Sequence, residues 1–283
     1  RYVGYMDHQR AHGYYPSFLW KDGERLPLPG NTHADGGKTP EIYGPGATEK
    51  RRGNRDGKVT YAPDAMLAET LKFMEENRNR PMFILFSTNL PHGPVDIPPA
   101  ENKYAGHPAI RQAYAGAAGG NRECAGAAEE YASMVDKLDR QVGAILAQVH
   151  KLGLEKRTII VFSSDNGHEL YYRTDKERGR GLNCHGGVLD GTGELLDVFR
   201  GSRGLIGQKN AMVNLAGLKW TNHEGGIRIP LIVSWPGTVP HGKVCRSLVA
   251  SYDHMATFAE LAGVGMPEGK DSVSYKNMLF GKP

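Results

Sequence analysis

Apolar residues along the chain fall into two patterns. Three runs are nearly continuous: Met82-Phe83-Ile84-Leu85-Phe86-Ser87-Thr88, Thr158-Ile159-Ile160-Val161-Phe162-Ser163 and Ile229-Pro230-Leu231-Ile232-Val233-Ser234-Trp235. Short runs without polar alternation fit strands covered on both faces of a sheet. Elsewhere the apolar positions recur three and four apart. Leu67, Leu71 and Met74 predict a surface helix from Pro63 to Arg80, feeding the first strand. Val135, Leu138, Val142, Ile145, Val149 and Leu152 predict a longer helix from about Ala127, stopped at Gly153. A last helix is expected over Ser251 to Ala262, stopped by Gly263.

The remaining segments lack a period. The first sixty residues are rich in Gly, Pro, Asn and Tyr, as in Tyr14-Tyr15-Pro16 and Leu26-Pro27-Leu28-Pro29-Gly30-Asn31, with a polar stretch from Thr48 to Lys58, and read as loop. Residues 168 to 217 are Gly-rich and too long for a simple connection, so they read as an excursion over the surface near the strand ends. Strands alternating with helices predict an α/β sandwich with a largely parallel sheet.

Composition narrows the partners. With 283 residues, 39% hydrophobic and 23% charged, the chain is long enough for a sizeable core. Its formal charge of +4 is spread without a basic block, which gives no footprint for nucleic acid. Cys124, Cys184 and Cys245 lie far apart and form neither a zinc knuckle nor a disulfide framework. No apolar run approaches the roughly 20 residues that span a bilayer.

In open α/β sheets the ligand sits outside the carboxyl ends of the strands. The polar residues just past each apolar run are therefore the first candidates: His92 after the first, Asp165 and Asn166 after the second, and Lys219 in the segment leading to the third. Asp165 and Asn166 offer a carboxylate and an amide carbonyl, hard oxygen ligands suited to calcium or magnesium, although Ser164-Asp165-Asn166-Gly167 equally reads as a turn. His92 is held between Pro91 and Pro94, which limits its backbone freedom. An ammonium from Lys219 near a hard metal and a strand-end histidine would form a pocket for sulfate or phosphate.

The stretch Gly217-Leu218-Lys219-Trp220-Thr221-Asn222-His223-Glu224-Gly225-Gly226-Ile227-Arg228-Ile229-Pro230 resembles the type I sulfatase signature, a lysine five residues before Glu-Gly-Gly-x-Arg-x-Pro. Ile159 to Gly167 is similar to that family's metal-binding strand end, and Leu90-Pro91-His92-Gly93-Pro94 to its sulfate-contacting histidine segment. Gly4-Tyr5-Met6-Asp7, Ala11-His12-Gly13-Tyr14-Tyr15-Pro16 and the Tyr252-Asp253-His254-Met255-Ala256-Thr257 helix agree in order. The likeness is to the arylsulfatase and N-acetylgalactosamine-6-sulfatase branch. It implies an alkaline-phosphatase-like three-layer α/β/α sandwich with a largely parallel, mixed sheet, in a secreted, periplasmic or lysosomal enzyme.

Carried over residue by residue, the resemblance implies that Asp165 and Asn166 complete a calcium site, with magnesium as the alternative. His92 and Lys219 would hold the ester oxygens of a sulfated carbohydrate or aryl sulfate, one of them helping the leaving group to take a proton. The family's nucleophile is a formylglycine made from the Cys or Ser of a C/S-x-P-x-R motif. Cys124 is followed by Ala-Gly-Ala, Cys184 by His-Gly-Gly and Cys245 by Arg-Ser-Leu, so none of the three is that residue. The chain is therefore expected to be the C-terminal part of a sulfatase catalytic domain, N-terminally truncated, without the nucleophile segment or the family's smaller C-terminal domain, and inactive alone. A non-catalytic protein binding sulfated glycan, or a related metal-dependent phosphatase or phosphodiesterase, remain the competing readings. His8, His12, His185 and Arg203 are candidates for sugar contacts.

Overall fold

The computed structural model describes residues 1–8, 10–32, 56–93, 95–115, 122–167, 219, 222–266 and 268–281. The chain divides into two compact units, Arg1–Gln148 with Gly167–Ile227, and Val149–Asn166 with Arg228–Pro283.

The first unit opens on a three-stranded antiparallel meander of β1 (Val3–Gly4), β2 (Phe18–Lys21) and β3 (Glu24–Pro27). Lys21 pairs with Glu24 across Asp22-Gly23, which take φ of 51° and 95°. Positive φ at both central residues is the hairpin turn whose twist matches the flanking strands, and Asp-Gly is a pair that accepts it. The region expected to be loop therefore holds a sheet. Leu19 and Leu28 bury against Ala62 and Met66 of the helix α1 (Ala62–Glu76), which begins with Pro63 in its first turn.

A second cluster gathers Tyr14, Tyr15, Tyr61, Leu90, Val95, Ile97, Ala125 and Met134. It includes one face of the helix α3 (Arg122–Lys151), which follows the shorter α2 (Pro108–Ala115). Several polar groups buried here are paired, as burial favours. Lys58 Nζ meets Asp96 at 2.8 Å, and Tyr61 donates to the Asp96 carbonyl at 2.8 Å. Lys137, on α3, reaches Asp64 and Glu101, each at 2.7 Å, with its ammonium 5.4 Å from the Tyr61 ring centre.

The run Met82–Thr88, expected as a strand buried on both faces, joins no ladder among the described residues. Phe83 and Leu85 are 77% and 80% exposed. A strand is buried by the neighbours that pair with it and the helices laid over it, and no described strand lies against this one.

The second unit pairs β4 (Ile160–Ser163) with β5 (Leu231–Ser234), Ile160 opposite Ser234 and Ser163 opposite Leu231. All strand pairs among the described residues are antiparallel, where alternation of helices and strands leads one to expect parallel ones. Ser163 Oγ donates to the Pro230 carbonyl at 2.9 Å and Trp235 Nε1 to that of Lys156 at 3.0 Å, fixing both ends of the pair. Helix α5 (Asp253–Ala262) ends at Gly263, which takes the left-handed φ of 71° that favours glycine, as the sequence leads one to expect. Asp253 accepts from the backbone of Ala250 at 2.8 Å and of Val273 at 2.9 Å, tying α5 to the segment before α6 (Lys276–Leu279). His254 Nδ1 hydrogen-bonds the Tyr275 hydroxyl at 2.6 Å, and burial holds this imidazole below its usual pKa.

Candidate functional site

His92 caps a tight turn in the first unit. Its backbone N–H donates to the Asn89 carbonyl at 2.8 Å, and Leu90 between them is 5% exposed. The Leu90–Pro91 bond is cis. From beneath, the Tyr14 hydroxyl lies 2.9 Å from the Asn89 carbonyl and 2.5 Å from that of His92, its one proton shared between them. Asn89 Nδ2 in turn donates to the Ala11 carbonyl at 2.8 Å. Residues far apart in sequence thus hold the histidine's backbone.

The ring is held as well. His92 Nδ1 contacts the carbonyl oxygen of Gly93, which can only accept, so Nδ1 carries the proton. The other nitrogen, Nε2, faces Lys219 Nζ at 3.0 Å and accepts from the ammonium. The two are 127 residues apart, and both are half-buried. On another side the His12 ring packs edge to face on His92, centroids 4.8 Å apart and planes at 89°. His8 lies 6.3 Å from His12, ring to ring. Lys219 brings a charged N–H donor group to this histidine cluster, which suits a tetrahedral anion.

Gly167 and the Glu224-Gly225-Gly226 turn explain part of the signature's glycine content. Gly167 N donates to Gly226 O at 2.8 Å, and a Cβ on Gly167 would stand 2.0 Å from Gly225 O. Only glycine permits that approach. The turn itself is the short helix α4 (Glu224–Ile227), with Gly226 and Ile227 both donating to His223 O.

Asp165 and Asn166 lie in the second unit, on the turn after β4, where Ser164 Oγ donates to the Asn166 carbonyl at 3.1 Å. Their oxygens are the donor type a hard cation takes. Among the described residues, however, no group of three or more His, Cys, Asp or Glu could hold a metal. Two side chains fall short of the six to eight oxygens of calcium. His185 and Arg203 lie outside the described residues. Sequence reasoning did not single out Tyr14 or Asn89; a tyrosine in a Gly- and Pro-rich stretch carries no local sign that its hydroxyl will be buried.

A model of the sulfatase family matches residues 8–264, and the chain belongs to that family. It is 28% identical to the arylsulfatase of Klebsiella aerogenes over 147 residues, 47% of this chain and 29% of that protein. With the N-acetylgalactosamine-6-sulfatase of Canis lupus familiaris it shares 27% over 206 residues, 72% of this chain and 29% of the relative. Among solved structures, Ps i-CgsB in complex with k-i-k-neocarrahexaose superposes with a TM-score of 0.55 at 26% identity, over 80% of this chain and 40% of that one. A structure solved with D-glucosamine-2-N,6-O-disulfate gives 0.58 at 16% identity over 99% and 59%, a likeness of fold. The fold is thus the alkaline-phosphatase-like α/β type of the sulfatases. The chain spans less than a third of the length of these curated relatives.

Proposed function

We propose that this chain carries the sulfate-binding part of a sulfuric ester hydrolase that acts on a sulfated carbohydrate or an aryl sulfate. The observation that carries the reading is the contact of Lys219 Nζ with His92 Nε2 at 3.0 Å, in a chain of the sulfatase family. The names of the relatives, arylsulfatase and N-acetylgalactosamine-6-sulfatase, support the substrate class.

Lys219 carries three N–H donors and a charge, the kind of group that binds ester oxygens. Charge-assisted bonds of this kind are the stronger ones, and they gain as negative charge builds on those oxygens in the transition state. The proton in the Lys219 Nζ–His92 Nε2 contact resides on the lysine, so a departing oxygen would draw it from the ammonium, or from His92 once Nε2 has taken it up from Lys219. Asp165 and Asn166 would contribute oxygens to a calcium, or magnesium, whose Lewis acidity is the chemistry such a cation supplies when bound. The nucleophile, a formylglycine, lies outside these residues in this reading, and the parent protein is placed in a secreted, periplasmic or lysosomal compartment.

Calorimetric titration of the chain with inorganic sulfate tests the pocket. Binding is expected, and Lys219→Ala is expected to weaken it roughly 10- to 100-fold, the size of one charge-assisted bond. Equal affinity in wild type and variant would overturn the role of Lys219, and a strong preference for phosphate would favour the phosphatase reading. The chain alone is expected not to turn over 4-nitrophenyl sulfate; turnover would place the nucleophile within these residues.

A further inference from the structure

We infer that His12 is a positioning residue for His92, holding its imidazole with Nε2 toward Lys219. The inference rests on the sulfate-binding reading of that pair and adds a component to it. An imidazole in a loop has a soft terminal torsion, broad and roughly two-fold, so a ring flip that exchanges Nδ1 with Cδ2 and Nε2 with Cε1 costs little unless neighbours forbid it. A flipped His92 would turn a carbon toward Lys219 and lose the geometry.

Two contacts at the ring edge, Gly93 O and Lys219 Nζ, oppose the flip. The Lys219 contact must loosen whenever the ammonium turns to an anion. His12, packed against the ring at 4.8 Å and 89°, within the edge-to-face range for aromatic pairs, is a restraint that does not depend on that contact.

His12 is itself fixed. Its Nδ1 lies 2.5 Å from the His8 carbonyl and so donates to it. It ends the 3-10 turn Arg10–His12, whose middle residue, Ala11, receives the Asn89 side chain. The next residue but one is Tyr14, which grips the carbonyls of Asn89 and His92. One short segment, residues 11–14, therefore holds both the backbone and the ring of His92. The positioning role is carried by the aromatic ring at 12 and its perpendicular packing on His92.

The test separates the ring from the charge. In 15N-imidazole spectra of the full chain, wild-type His92 is expected to show a protonated Nδ1 and a bare Nε2. His12→Ala is expected to average the two tautomers and to weaken sulfate binding roughly 3- to 10-fold, the span of a side chain released from its well. His12→Phe, which keeps the ring and discards both nitrogens, is expected to retain the wild-type His92 signals and an affinity within about 2-fold. His12→Gln keeps a donor for the His8 carbonyl but no ring, and is expected to follow alanine, which covers the case of an alanine variant that fails to fold. Unchanged His92 signals in the alanine and glutamine variants would overturn the inference, as would a phenylalanine variant as impaired as alanine, since His12 would then act through its own charge. The spectra decide the positioning role by themselves, whereas absence of sulfate binding in the wild type would defeat the functional reading instead.

Discussion

Two segments of the first unit carry apolar bulk with opposite outcomes. Tyr14 and Tyr15, in a Gly- and Pro-rich stretch, are 2% and 5% exposed, while Phe83 and Leu85, in the most hydrophobic run of the unit, are 77% and 80% exposed. Hydrophobicity measures what a segment gains if something covers it; the cover is a property of the rest of the chain. Tyr14 and Tyr15 have theirs, with Tyr61 at 5.4 and 5.3 Å between ring centres and buried partners for the hydroxyls of Tyr14 and Tyr61. Residues 82–86 have no described strand beside them.

The comparison breaks first if the tyrosine cluster proves dispensable. Tyr61 is 3% exposed, contacts both other tyrosines, and burial pushes its phenol well above the usual pKa. Tyr61→Ala is expected to cost about 3–5 kcal/mol in urea unfolding, as for a large core aromatic. A loss under about 1 kcal/mol, the scale of ordinary surface changes, would show that the cluster is not a core.

The ion pair beside it gives the next effect. Side chains of Lys58 and Asp96 are 11% and 4% exposed. Asp96→Ala leaves a buried ammonium without its carboxylate, and a loss of about 3 kcal/mol is expected. Replacement of both residues by apolar ones is expected to recover most of it, which a double-mutant cycle would measure.

How much of this was legible in the sequence depends on range. Local signals served well: Gly263 stops α5 by its left-handed conformation, and Gly153, with φ of 66°, follows the long helix. Asp22-Gly23 is a local hairpin signal too, and the meander around it was open to being read despite its loop-like surroundings. The burial of Tyr14 and the exposure of Leu85 were not, because each depends on partners distant in sequence. The site divides the same way. His92, Asp165, Asn166 and Lys219 were found at strand ends and by family resemblance, but no spacing rule joins Lys219 to a histidine 127 residues away. That the Tyr14 hydroxyl reaches the His92 carbonyl needed coordinates.

A smaller effect ties the tyrosine cluster to the site. Tyr14→Phe keeps the ring stacked on Tyr61 and removes the proton shared by the Asn89 and His92 carbonyls. A loss of about 0.5–1.5 kcal/mol in unfolding is expected, the net worth of a typical intramolecular hydrogen bond. If the hydroxyl also shapes the site, sulfate affinity should fall in the same variant while Tyr15→Phe leaves it unchanged. Equal behaviour of the two would restrict Tyr14 to the core.

The smallest expected effect lies at the other pole. Leu85 is 80% exposed, so Leu85→Ser removes little buried area and should change stability by no more than about 0.5 kcal/mol. A loss above about 2 kcal/mol, the scale of a filled core site, would mean that this side chain is covered in solution. An exposed apolar run can also associate with another chain. The serine variant is therefore expected to sediment with less concentration dependence than the wild type, while the buried tyrosines, offering no surface, should leave association unchanged when altered. Should association track Tyr14 and not Leu85, hydrophobic bulk would be covered in the reverse of the order seen here, and the contrast between the two segments would fall.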